Sequence, residues 1–130
     1  MYSAITNGIA VSVEPKFLPD QSDPENHRWF WAYTVRIHNQ SSETVQLTER
    51  HWKITNGVGN SETVSGPGVV GEEPIIEAGK VYTYTSGCPL NTDSGSMEGR
   101  YIMRRKSGGE FAVAIPPFSL DLPTTNRTLN

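Results

Sequence analysis

Trp29-Phe30-Trp31-Ala32-Tyr33-Thr34-Val35-Arg36-Ile37-His38 is the stretch on which the fold turns. Trp29, Trp31, Tyr33, Val35 and Ile37 fall on one side, and Arg36 and His38 on the other. Successive side chains of a strand point to opposite faces, so this alternation predicts a long strand with one face in a core. Its aromatic and β-branched content suits a pleated, half-buried surface. Upstream, Ile9, Val11 and Val13 alternate with Ala10, Ser12 and Glu14 in the same way. Residues 15–26 between them carry Pro15, Pro19 and Pro24 among polar residues and read as a loop.

Downstream, Asn39-Gln40-Ser41-Ser42 reads as a hairpin turn into a second strand from about Thr44. That strand changes phase: Val45 and Leu47 are odd, Trp52 and Ile54 even. One regular strand cannot bury both pairs on one face, so a bulge is expected near Thr48 to Arg50. The same switch separates Phe111, Val113 and Ile115 from Phe118, Leu120 and Leu122, and it falls on Pro116-Pro117. Prolines there interrupt ladder hydrogen bonding and predict an edge or a bend. Further strands are expected at Glu62 to Val64, Lys80 to Thr85 and Arg100 to Arg105, with turns at Gly57-Val58-Gly59-Asn60 and Ser107-Gly108-Gly109.

About seven antiparallel strands without a long helical window predict an all-β sandwich, and the absence of a cysteine–tryptophan–cysteine spacing favours a fibronectin-III-like (immunoglobulin-like) form. A small barrel fits the alternation equally well. The chain has 130 residues, 35% hydrophobic and 19% charged, with a net charge of −3 and one cysteine. The length fits one domain spanning 1–130, with a polar tail expected to fray from about residue 124. A lone Cys88 makes no internal disulfide and no four-thiolate metal site. The weak negative charge argues against sequence-specific nucleic-acid binding, and no apolar run is long enough to span a membrane. The first residues lack a secretory pattern, so a cytoplasmic location is expected.

Several segments carry a family resemblance: Arg50-His51-Trp52-Lys53-Ile54-Thr55, Val64 to Pro74, Tyr84-Thr85-Ser86-Gly87, Gly95 to Tyr101 and Phe111 to Phe118. Together, in order over nearly the whole chain, they resemble the ApaG (CorD) family of small bacterial proteins. The same domain recurs in some eukaryotic F-box proteins and in a partner protein of DNA polymerase delta. The resemblance implies a fibronectin-III-like sandwich. It also implies a genetic link to cobalt resistance and magnesium efflux, and a neighbouring diadenosine-tetraphosphate hydrolase gene, neither of which is a biochemical activity.

Gly66-x-Gly68-x-x-Gly71 has the spacing of a dinucleotide-binding turn. The resemblance implies a suggested role in binding pyrophosphate. Here Glu72, Glu73 and Pro74 follow in place of a helix, placing acid where a phosphate would sit. The alternatives are a loop of glycines serving backbone shape, or a loop presenting Val69 and Val70 to a partner. Arg50 and His51 are candidate binding residues beside Trp52, whose phase assigns it to the core. His27, His38 and His51 are too far apart to form a ligand motif, and Cys88, read as lying in a loop beside Pro89, has no local base. Asp20, Asp23 and Glu25 lack the glycine and closing glutamate of a calcium loop. Arg104-Arg105-Lys106 reads as the charged end of a hairpin. No catalytic residue, metal site or cofactor is expected. The sequence reading is therefore a non-enzymatic protein-interaction module, with a partner protein as ligand. The alternative is a small-ligand binder taking pyrophosphate or a nucleotide on Gly66, Gly68 and Gly71.

Overall fold

The computed structural model describes residues 2–123, so the tail expected to fray lies outside the described residues. Nine strands form among them: β1 (Tyr2–Thr6), β2 (Ile9–Phe17), β3 (Trp29–Asn39), β4 (Val45–Asn56), β5 (Ser61–Pro67), β6 (Ile75–Ile76), β7 (Val81–Leu90), β8 (Gly95–Arg105) and β9 (Glu110–Leu120). One sheet runs β1-β2-β3-β7; the other runs β5-β4-β8-β9, with β6 also paired to β4. All pairings are antiparallel. Two separate sheets packed face to face make a sandwich, which removes the barrel alternative. The only described helical segments are two short 3-10 turns, Pro19–Gln21 and Pro24–Asn26, and no described helix is long and apolar enough to cross a membrane.

The core follows the alternation. Ile9, Val11 and Val13 of β2 and Trp31, Tyr33, Val35 and Ile37 of β3 are buried against Leu47, Trp52, Met97, Tyr101, Met103, Val113, Ile115 and Phe118 of the other sheet. Trp52 meets Tyr33, Phe118 and Tyr101 edge-on, with ring centroids 5.4, 6.0 and 6.5 Å apart, geometries that aromatic quadrupoles favour.

Both expected irregularities are present. The β4–β8 register shifts between Leu47 and Glu49, which leaves Thr48 as the extra residue. The β8–β9 register shifts so that Pro116 and Pro117 stand opposite Glu98 alone, and β9 is a sheet edge. This edge is covered: β9 packs along β1 and β2, Tyr2 donates to Ser119 Oγ at 3.3 Å, and the Ala114 amide donates to Thr6 Oγ1 at 3.2 Å.

Four readings need correction. The strand count rises from about seven because β1 and the two-residue β6 were not foreseen. Residues 15–17 belong to β2, the loop beginning after Phe17. Cys88 and Pro89 lie in β7, not in a loop, and Cys88 is buried, its thiol pushed up to about 11 by burial. Asn39–Ser42 is no hairpin, because β3 and β4 belong to different sheets. The cause is Asn39, the one buried polar residue among those described. Its side-chain amide donates to Glu43 O at 2.8 Å and Ile76 O at 2.9 Å, while its Oδ1 accepts from the Ser41 amide at 3.0 Å. These bonds satisfy the buried backbone of a corner and carry the chain across to the second sheet.

Candidate functional site

The bulge at Thr48 precedes Arg50, so Arg50 stays in phase with Trp52 and points between the sheets. On β4 it is flanked across the ladders by Tyr101 of β8 and Gly66 of β5. A Cβ on Gly66 would come within 3.0 Å of Arg50 Nη2, so a glycine is what lets the guanidinium lie against β5. There its Nη1 donates to Pro67 O at 2.8 Å and Gly68 O at 3.0 Å.

After β5 the chain turns tightly. The Val69 amide donates to Glu72 O at 2.8 Å and the Glu72 amide to Val69 O at 2.9 Å, so Val70 and Gly71 are the central residues of a two-residue hairpin loop. Their φ angles are 42° and 83°, both positive, the mark of a type I′ turn. Gly71 takes such a conformation freely, and position 68 (φ 57°) admits only glycine, because a Cβ there would stand 1.9 Å from Glu72 O. The three glycines of the Gly-x-Gly-x-x-Gly spacing therefore each serve the shape of this hairpin or the seat of Arg50. The two valines divide their work: Val69 is fully buried, whereas Val70 is 53% exposed at the tip.

These residues surround a cavity of about 180 Å³ lined by Arg50, Trp52, Val69, Val70 and Gly71 from one side and Tyr33, Tyr84 and Ser86 from the other sheet. Wider and more open clefts of about 370, 390 and 700 Å³ lie elsewhere on the molecule. The small cavity is the more enclosed one, and it is where the sequence candidates converge. Tyr84 shares a short hydrogen bond with Tyr101. Burial holds the phenols of Tyr33, Tyr84 and Tyr101 above their ordinary range; Ser86 draws Tyr33 and the Tyr101 hydroxyl draws Tyr84 partly back, and the Arg50 charge adds a smaller pull in the same direction. Glu72 turns away from the cavity, its Oε1 accepting from the Tyr82 hydroxyl at 3.0 Å.

Arg50, Gly66, Gly68, Val69, Val70 and Gly71 thus meet at one place, and His51 does not. It faces the outer side of β4, where its Nδ1 lies 2.9 Å from Ser65 Oγ and its Nε2 2.9 Å from Glu49 Oε1. Sequence spacing did not foresee this hydroxyl–imidazole–carboxylate order, which arises because His51 and Ser65 are partners in the β4–β5 register. Its order is that of an activated nucleophile. It stands on an open sheet face with Glu49 half-exposed, where water competes for each partner, and without the enclosure that stabilises a developing oxyanion. Tyr33, Tyr84, Ser86 and Tyr101 were not foreseen as site residues either. Alternation placed Tyr33 inward, but which strand faces it is a tertiary fact.

Of the remaining charged candidates, Asp23, Arg104 and Arg105 are tied into local structure. Asp23 accepts from Asn26 within the second 3-10 turn at 2.6 Å. Arg104 pairs with Glu110 at 3.5 Å, and Arg105 lies 4.1 Å over the Phe111 ring. Among the described residues no three His, Cys, Asp or Glu side chains gather as a metal cage would require.

Comparison with known proteins places these features in a lineage. The family model described as "ApaG domain" matches residues 19–105. "Protein ApaG" of Mesorhizobium japonicum is 55% identical over 130 residues, 100% of both chains, and "Protein ApaG" of Brucella anthropi is 56% identical over the same span. The crystal structure of the putative ApaA protein from Bordetella pertussis superposes with a TM-score of 0.87 at 44% identity, covering 90% of this chain and 95% of that one. A second X-ray structure, a structural-genomics target, gives 0.88 at 38% identity, covering 98% and 96%.

Proposed function

The chain belongs to the ApaG domain family, and from that premise we propose that it is a cytoplasmic, non-catalytic binding module that receives a partner protein at the Val69–Glu72 turn. The observation that carries this reading is the placement of Val70. A β-branched residue at positive φ is strained, at about 1–2 kcal/mol. Asparagine before glycine is the residue that a type I′ turn prefers. A valine held there, 53% exposed, keeps an apolar tip in water at a cost in stability, which is the pattern of a contact residue. The neighbouring edge strand β5 is exposed along nearly its whole length and adds free backbone groups beside the tip.

The amide protons of Gly68, Val69 and Glu72 are already given to Thr48 O, Glu72 O and Val69 O. That leaves the loop few donors for pyrophosphate and favours the partner reading over a phosphate cradle. In this reading the tie to cobalt and magnesium balance runs through the partner. Affinity capture from a lysate of the source organism, with the wild-type chain and Val70→Asn as parallel baits, tests it. The variant keeps the turn and removes the apolar tip. Partners enriched on the wild type and lost on the variant are expected; identical retention by both baits refutes the proposal.

A further inference from the structure

We propose that the cavity beneath the Val69–Glu72 turn is a carboxylate site, in which Arg50 and Tyr84 receive one acidic side chain of the partner; this rests on the binding reading above. Unused hydrogen-bond donors mark the site. Arginine carries five N–H donors. Two from Nη1 go to Pro67 O and Gly68 O, and those of Nε and Nη2 make no hydrogen bond among the described residues. The described ion pairs are His51–Glu49 and Arg104–Glu110, so no described carboxylate neutralises Arg50.

Tyr101 is fully buried and its hydroxyl meets only that of Tyr84. The geometry allows either hydroxyl to donate; Tyr101, the more deeply buried of the two, is assigned as the donor and Tyr84 as the acceptor. The proton of Tyr84 is then left for the cavity that Tyr84 lines. Arg50 from one sheet and Tyr84 from the other, each with a donor to spare, thus line one enclosed space. Two nearby acids are turned elsewhere, Glu72 onto Tyr82 and Glu49 onto His51.

Size and charge select the ligand. At about 180 Å³ the space is below the roughly 300–1,000 Å³ of ordinary cofactor pockets and suits a single small anionic group. Arg50 is the one cation lining it, which matches the single charge of a carboxylate better than the multiple charges of pyrophosphate. The unbonded Nε and Nη2 edge is the planar fork that grips a carboxylate through two parallel bonds. With Val70 at the rim, the segment recognised is an acidic side chain next to an apolar one.

The test is an NMR titration of the full chain that follows the Arg50 Nε–H resonance and the amides of residues 69–71. The probes are sodium acetate, inorganic phosphate and pyrophosphate at matched ionic strength. Acetate is expected to move these resonances saturably in the millimolar range, the weak affinity of an isolated group. Arg50→Gln is expected to abolish the response. Because Arg50 also holds two loop carbonyls, Tyr84→Phe is the deciding variant: it leaves that seat intact and is expected to weaken acetate by about tenfold or more, the loss of a hydrogen bond to a charged group. No saturable response at Arg50, or an unchanged response in Tyr84→Phe, overturns the assignment. Saturation by phosphate or pyrophosphate far below acetate overturns it in favour of a phosphate site. If acetate fails while Val70→Asn still loses the partner, the carboxylate assignment alone falls. If Val70→Asn keeps the partner, the binding reading falls.

Discussion

Gly68→Ala and Gly71→Ala separate a structural role for the glycine motif from a ligand-binding one. At Gly68 an added Cβ would stand 1.9 Å from Glu72 O and 2.7 Å from its carbonyl carbon, both backbone atoms, at φ 57°. The left-handed conformation alone costs an L-residue about 1–2 kcal/mol. Relieving the clash moves the hairpin off its anchors, the Gly68–Thr48 and Val69–Glu72 backbone bonds, and losing about two of these costs roughly 2 kcal/mol more. The sum is about 3–4 kcal/mol. At Gly71 φ is 83° but nothing lies within 4 Å of an added Cβ, so only the conformational cost of about 1–2 kcal/mol applies. Urea unfolding followed by tryptophan fluorescence measures both. With a slope of about 2 kcal/mol/M, the midpoint falls by roughly 1.5–2 M for Gly68→Ala and less than about 1 M for Gly71→Ala. Equal shifts, or a larger one at Gly71, would refute the assignment of Gly68 to close backbone packing.

Asn39→Ala is expected to cost about 2 kcal/mol or more, because it removes the side-chain donor to the buried carbonyl of Ile76 and the acceptor of the Ser41 amide; a loss below about 1 kcal/mol in the same urea assay would contradict the corner's account. Cys88, Tyr33, Tyr84 and Tyr101 all have folded-state pKa values raised by burial. Their stabilising contribution is present below the unfolded-state values near 9 and 10, and is lost as pH climbs towards the folded-state values, about 11 for Cys88. Stability is therefore expected to decline from about pH 9 upward, with phenolate absorbance from the buried tyrosines rising together with loss of circular dichroism. Ionisation of all tyrosines while the fold persists would contradict it.

Much of the sandwich was legible because its signals are local. Alternation in β2 and β3 marks the buried face without knowledge of the partner strand, and each phase change announces a bulge. β1 also had a local signal that went unread: Asn7-Gly8 is a type I′ pair, with φ of 49° and 82°, between two alternating runs. The misreading at Asn39–Ser42 has a different origin. The residues are those of a turn, but the buried bond from Asn39 to Ile76 O is made across 37 positions and sends the chain to the other sheet. The site divides the same way. Arg50 and the glycine loop stand out in the sequence, whereas Tyr33, Tyr84, Ser86 and Tyr101 join them only once β7 is paired to β3, β8 to β4, and the two sheets face each other. His51 sits next to Arg50 in the chain and on the opposite face of the sheet, because a strand's period is two.

The most direct test of the central claim is the affinity of the captured partner for the wild-type chain and for Val70→Asn, measured beside the stability of each. Replacing the strained valine by the residue the turn prefers is expected to raise stability by about 1 kcal/mol. Removing the apolar tip is expected to weaken the partner by about tenfold or more, or 1.4 kcal/mol. A chain that becomes more stable and binds less well is the predicted result. A variant that binds its partner as tightly as the wild type would contradict the account.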